Sequence, residues 1–149
     1  MRKLDAAAPA MAMALVLLAS CRGERPEPVE IALNEESCSH CRMAVSEREF
    51  AAEAVAPDGR VDYFDDIGCL AAWVREHQPP PETALYVVDF ETGEWLAAES
   101  AYYVKSDQIP TPMSFGLVAF GDAERADRAA EKFRGRRLSW QQVLDEAGR

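Results

Sequence analysis

The segment Cys38-Ser39-His40-Cys41-Arg42-Met43 sets two thiols, an imidazole and a thioether within six positions. Cysteines at this spacing in a tight turn can aim both sulfurs at one point, as metal knuckles require. Thiolate and thioether donors select soft ions, Cu(I) above all, whereas Zn(II) seldom takes a methionine. Three chemistries therefore compete here: a redox dithiol, half of a zinc site, or a copper site. A thioredoxin-like dithiol sits where a strand meets a helix, because the helix N-terminus lowers the first thiol's pKa. Asn34-Glu35-Glu36-Ser37 precede this pair, and Arg42 to Val45 begin no convincing amphipathic helix. Local acidity also opposes a thiolate unless a cation is bound.

The other cysteines extend the argument. Cys21 closes Leu18-Ala19-Ser20-Cys21, which resembles a bacterial lipobox, in which the thiol accepts the lipid and becomes the mature N-terminus; an ordinary signal peptide with a coincidental Cys21 is the alternative. Arg2 and Lys3 before it, then the apolar run Ala6 to Ala19, fit a secretory signal peptide and are too short for a permanent membrane anchor. With Cys21 lipidated, Cys38, Cys41 and Cys69 remain, an odd number. In an oxidising periplasm one thiol must then stay free, pair between chains or hold a metal. Cys69 falls near the start of a helix, where the dipole favours thiolate, but it also reads as a small buried hydrophobe. Thr111-Pro112-Met113-Ser114-Phe115-Gly116 is a stiffened loop whose Met113 can complete a soft-metal site or fill core. His40 is either a ligand or a solvated side chain. His77 at a helix C-terminus needs no function.

These residues need elements to hold them. Arg22 to Pro28 reads as an extended, solvated tether, and the alternation of Val29, Ile31 and Leu33 is a weak strand signal. Phe50 to Ala56 and Arg60 to Phe64 flank Pro57-Asp58-Gly59 as a hairpin. Asp65-Asp66 caps a helix to about His77, ended by Pro79-Pro80-Pro81, and Leu85 to Phe90 is a strand. Trp95 to Ala97, Tyr102 to Lys105 and Leu117 to Phe120 are strands of a second half. Gly121-Asp122 opens a helix to about Phe133, and a terminal helix lies near Gln141 to Glu146. The expected fold is α+β, two small ββαβ-like units packed together, with halves at 29–92 and 93–149 after a signal peptide (1–20) and a tether (21–28). A single four- or five-stranded sheet is the alternative. Hydrophobic residues at 48% support a buried core. Lys+Arg number 16 against 26 Asp+Glu, a net charge of −10, which argues against nucleic acid and against a polybasic grip on lipid. No nucleophile–base pair, phosphate loop or paired-carboxylate site is legible, so a non-enzymatic role is expected.

Together these segments resemble the NosL family, lipoproteins that act as nitrous oxide reductase accessory proteins and copper chaperones. The matching pieces are Cys38-Ser39-His40-Cys41-Arg42-Met43-Ala44-Val45-Ser46, Phe64-Asp65-Asp66-Ile67-Gly68-Cys69-Leu70, Ala101-Tyr102-Tyr103-Val104 and Pro112-Met113-Ser114-Phe115-Gly116-Leu117-Val118-Ala119-Phe120. With the lipobox they cover most of the mature chain in order, and Ser114 stands where that pattern leads one to expect glycine. The resemblance implies the two-unit architecture and a Cu(I)-binding lipoprotein facing the periplasm. Such a protein hands metal to a cuproenzyme, nitrous oxide reductase first, with an ABC-type maturation transporter as a further partner. Carried over by residue, the metal candidates are Cys38, Cys41, Met43, Met113 and Cys69, with Cys21 as the lipidation site. Arg22 after Cys21 favours the outer membrane. Asp65 and Asp66 are read as caps, not as ligands of a soft ion. A periplasmic thiol–disulfide oxidoreductase using the Cys38/Cys41 pair is the rival reading.

Overall fold

A hairpin opens the regular structure. The computed structural model describes residues 25–147, so the signal peptide and Cys21 lie outside the described residues. Strands β1 (Ala52–Val55) and β2 (Val61–Phe64) pair antiparallel across a turn closed by Ala56 N–H to the Arg60 carbonyl at 2.8 Å. Gly59 takes φ +84 there, a left-handed conformation that suits glycine. Helix α1 (Ile67–His77) follows, with Asp66 as its N-cap accepting from Gly68 N–H at 2.9 Å. It ends at Gln78, whose left-handed backbone turns the chain before Pro79. Strand β3 (Ala84–Val88) then pairs with the free edge of β1.

Strand β4 (Trp95–Ala97) adds to β3, so the first sheet runs β2-β1-β3-β4. In the sequence this strand reads with the second half. The tight turn at 89–94 instead folds it back onto the first sheet, with Asp89 N–H donating to the Glu94 carbonyl at 2.8 Å and Gly93 at φ +73. The second unit comprises β5 (Tyr102–Lys105), β6 (Leu117–Phe120), α2 (Ala123–Lys132), β7 (Arg136–Leu138) and α3 (Trp140–Glu146). Its sheet order is β6-β5-β7, so both units run ββαβ with their first strand between the other two. Asp122 caps α2 through Arg125 N–H, and Ser139 with Gln142 forms a capping box on α3.

Alternation along the strands divides the core. Ala52, Ala54, Leu85 and Val87 of the first sheet meet Ile67, Leu70 and Ala71 of α1, and the same cluster takes in Tyr103, Leu117 and Ala119 of the second sheet with Trp140 and Val143 of α3. Helix α1 is thus the common filling of both units. Val104, Val118 and Phe120 on the other face of the second sheet pack against Ala126 and Ala129 of α2. The largest core cluster therefore draws on both halves.

The joint between the units is polar and buried. Phe90 N–H donates to the Ala119 carbonyl at 2.9 Å, and the Asp89 side chain, 1% exposed, receives the Arg125 guanidinium on both oxygens at 2.7 and 2.8 Å. Backbone N–H groups of Gly121, Glu91 and Thr92 donate to the same carboxylate. Burial by itself raises this carboxyl's pKa, but Arg125 and the three N–H donors outweigh it and hold the group well below the usual carboxylate range.

The outer face of the first sheet is covered by the segment before it. Ile31 and Val45 pack with Ala51 and Val88, Val29 N–H donates to Glu53 at 2.7 Å, and Tyr86 O–H donates to the Pro26 carbonyl at 2.6 Å. Residues 29–33 form no strand, contrary to the alternation. Ile31 and Leu33 cap the sheet face while Val29 stays exposed, and the Val29 N–H is taken by a side chain instead of a ladder. The described part of the expected tether, 25–28, lies against the domain at Pro26 and Arg25, which pairs with Glu99.

Candidate metal centre

The cysteine pair lies at the tip of a narrow loop. Asn34 N–H donates to the Val45 carbonyl and Val45 N–H to the Glu36 carbonyl, while Ser37 and Ala44 form an isolated bridge. Inside this frame Cys38 N–H donates to the Met43 carbonyl at 2.8 Å and Arg42 N–H to the Cys38 carbonyl at 3.0 Å. Arg42 adopts φ +70, a cost that the surrounding bonds sustain so that the chain can reverse directly after Cys41. The loop is fastened to β2 by Ser39, whose N–H donates to the Tyr63 carbonyl and whose hydroxyl donates to Asp62 at 2.8 Å.

Helix α1 brings the remaining donors. Its capped first turn places Cys69 beneath the loop, and the ligand atoms of Cys38, Cys41, Asp65 and Cys69 all lie within 4.8 Å of one another. Cys38 and Cys69 are fully buried, Cys41 is half-buried, and all three are free thiols. Cys41 N–H points at Cys38 Sγ, 3.4 Å away, and the Cys41 thiol donates to the Asp65 carboxylate at 3.3 and 3.4 Å.

Asp65 corrects the sequence reading. Both carboxylates of the doublet were expected to cap α1; only Asp66 does so, which leaves Asp65 turned to the thiols. The signal was present, since a helix has one N-cap position and a second aspartate before it needs another partner.

Hydrogen bonding and burial split the thiols. The Cys69 thiol donates to Cys38, and this together with N–H groups of the loop outweighs burial and brings Cys38 down to about 6. Cys69 is driven up, first as the donor to Cys38 and second by burial. Burial pushes Cys41 up to about 11, and the neighbouring Cys38 and Asp65 add to it. Within the cluster, hydrogen bonding thus favours the thiolate at Cys38 over its two neighbours. A soft cation arriving there replaces protons on the other two.

Met113 comes from the second unit. Its N–H donates to Asp66 at 3.1 Å, and Phe115 lies so close over Gly68 that a Cβ there would stand 2.0 Å from the ring. The loop is thereby pressed onto the head of α1 beside Asp65. Gly116 at φ +65 passes so near the Ser106 carbonyl that only hydrogen fits, and Ser114 takes φ +59, the conformation for which glycine is suited. Met43 and Met113 are exposed, 60% and 40% respectively. His40 stands apart from the thiols, its Nδ1 3.5 Å from Glu76. His77 hydrogen-bonds the Trp73 carbonyl and stacks on that ring, a local role.

A largely buried trithiol with a carboxylate, held between a knuckle loop and a helix N-terminus in a duplicated ββαβ frame, is a cluster that could hold a soft metal ion. The NosL family profile matches residues 28–147, and the chain belongs to that family. The crystal structure of the copper chaperone NosL from Shewanella denitrificans superposes with a TM-score of 0.67 at 18% identity, covering 78% of this chain and 95% of that one. No curated protein sequence matches significantly. The expected two ββαβ-like units are therefore present, among the described residues as two antiparallel sheets with three α-helices, and that fold is shared.

Proposed function

We propose that this protein is a non-enzymatic copper chaperone that carries Cu(I) and releases it to a maturing cuproenzyme. The observation that carries the reading is the gathering of Cys38, Cys41 and Cys69 with Asp65 within 4.8 Å. Family membership and the likeness to the crystal structure of a copper chaperone support it. Thiolates of Cys38 and Cys41 supply the strongest soft donors, Cys69 backs them, and the exposed thioethers of Met43 and Met113 offer neutral sulfur at the point of exchange. The client that fits the family is nitrous oxide reductase, with an ABC-type transporter in the same maturation route. The lipobox at Cys21 anchors the domain by acyl chains to a membrane facing the periplasm, the outer membrane by Arg22. Among the described residues no helix is long and apolar enough to cross a membrane.

The rival, a thiol–disulfide oxidoreductase, is less well served. Its attacking thiolate would be Cys38, the thiol with the depressed pKa, and Cys38 is fully buried where no substrate disulfide reaches it. The deciding experiment is competitive titration with a Cu(I) chelator on wild type, Cys38→Ser/Cys41→Ser, Met43→Leu and Met113→Leu proteins. Affinity should collapse in the double cysteine variant and fall less in the methionine variants. Unchanged affinity in the double variant refutes the assignment, as does Zn(II) held in preference to Cu(I).

A further inference from the structure

The chain assembles more sulfur than one copper ion takes, and the donors divide by access. Cys38 and Cys69 are fully buried with their sulfurs within 4.8 Å of each other, packed in the core with Phe64, Ile67 and Leu70. Cys41 is half-buried, and Met43 and Met113 stand in solvent. A buried pair is poorly placed to pass an ion in and out. It is well placed to give up electrons, since its sulfurs lie within 4.8 Å of the Cys41 sulfur while its burial keeps external disulfides away.

We propose, on the basis of the copper reading above, that Cys38 and Cys69 are an internal two-electron reductant for copper arriving as Cu(II). A cupric ion seated on Cys41 draws one electron from the pair and departs as Cu(I), and a second cupric ion takes the other. Across both events the Cys38 thiolate and the Cys69 thiol join in one S–S bond, the Cys69 S–H bond breaks with its proton passing to solvent, and two Cu(II) become two Cu(I). Cys41 is not consumed and, with the thioethers of Met43 and Met113, receives each copper ion before it leaves as Cu(I). A dithiol reductant restores the pair by exchange through Cys41, the one thiol of the cluster that solvent reaches. The same oxidation withdraws two thiolates from the copper site, so the oxidised protein grips Cu(I) more loosely than the reduced one.

The test mixes fully reduced wild-type protein with two equivalents of Cu(II) without oxygen, in the presence of a Cu(I)-specific chromogenic chelator. The expected results are loss of the Cu(II) EPR signal, two Cu(I) per chain, a Cys38–Cys69 disulfide in the peptide map, and Cys41 still open to alkylation. The Cys69→Ala protein should lose the reduction. A persisting Cu(II) signal overturns the proposal, and so does a disulfide that engages Cys41. The wild-type readout stands whether or not the variant folds. Wild type titrated directly with Cu(I) separates the two readings: binding without reduction of Cu(II) removes the redox pair alone, and absence of binding removes the chaperone.

Discussion

Glu53 should become a source of stability when its charge is removed. It sits mid-strand on β1 between Tyr63 and Tyr86 of the neighbouring strands, fully buried beneath residues 26–31. One carboxylate oxygen accepts from Val29 N–H; the other has no partner. Burial raises its pKa from 4.5 to about 7, and the Val29 N–H and the Arg48 charge offset only part of that. The folded protein therefore holds this proton to higher pH than the unfolded chain does. Stability from the protonated form is complete below about pH 4.5 and is lost as pH rises through about 7. Above that, ionisation costs about 3 kcal/mol, from roughly 1.4 kcal/mol per pKa unit. Glu53→Gln keeps an oxygen for Val29 N–H and cannot ionise. Urea unfolding followed by tryptophan fluorescence should show it more stable than wild type by about 3 kcal/mol at pH 8, with the gain shrinking toward zero near pH 4.5. A gain of equal size at both pH values refutes the reasoning, as does none at pH 8.

Arg125→Ala leaves the Asp89 carboxylate buried without its cation, and chemical denaturation should show a loss of about 3–5 kcal/mol; a loss under 1 kcal/mol would mean that the N–H donors of Gly121, Glu91 and Thr92 suffice alone. Gly68→Ala drives a methyl group into the Phe115 ring, so a thermal melt should report about 1–3 kcal/mol of destabilisation, and Cu(I) affinity should fall as the Met113 loop lifts. An unchanged melt would contradict the close packing of that loop.

Local chemistry was legible in the sequence. Asp66 and Asp122 announce their helices, Pro57-Asp58-Gly59 its hairpin, and the duplicated order of strands and helices the two units. Partners distant in the chain were not. Nothing in Trp95–Ala97 states that it bonds to β3, because that choice is made by the turn at Asp89 and Gly93. The alternation of Val29, Ile31 and Leu33 marks a one-sided apolar segment, but a segment lying flat on a sheet satisfies it as well as a strand does. The proximity of Cys69 to the Cys38/Cys41 loop, and of Asp65 to both, exists only once α1 has docked. Spacing within one segment can suggest a site, but its remaining donors are recruited by tertiary contacts.

Because α1 fills the cores of both units, its first turn is in place only when both sheets are. The donors at 38, 41, 65 and 69 come from opposite sides of the first hairpin, and the loop carrying Met113 arrives later still in the chain. An unfinished or misfolded molecule scatters these groups and has no pocket to offer. Under the proposed function, metal capture would be an inspection stamp: a chain able to hold the ion would already have closed both halves, and the bound ion would add its own free energy to keep them closed.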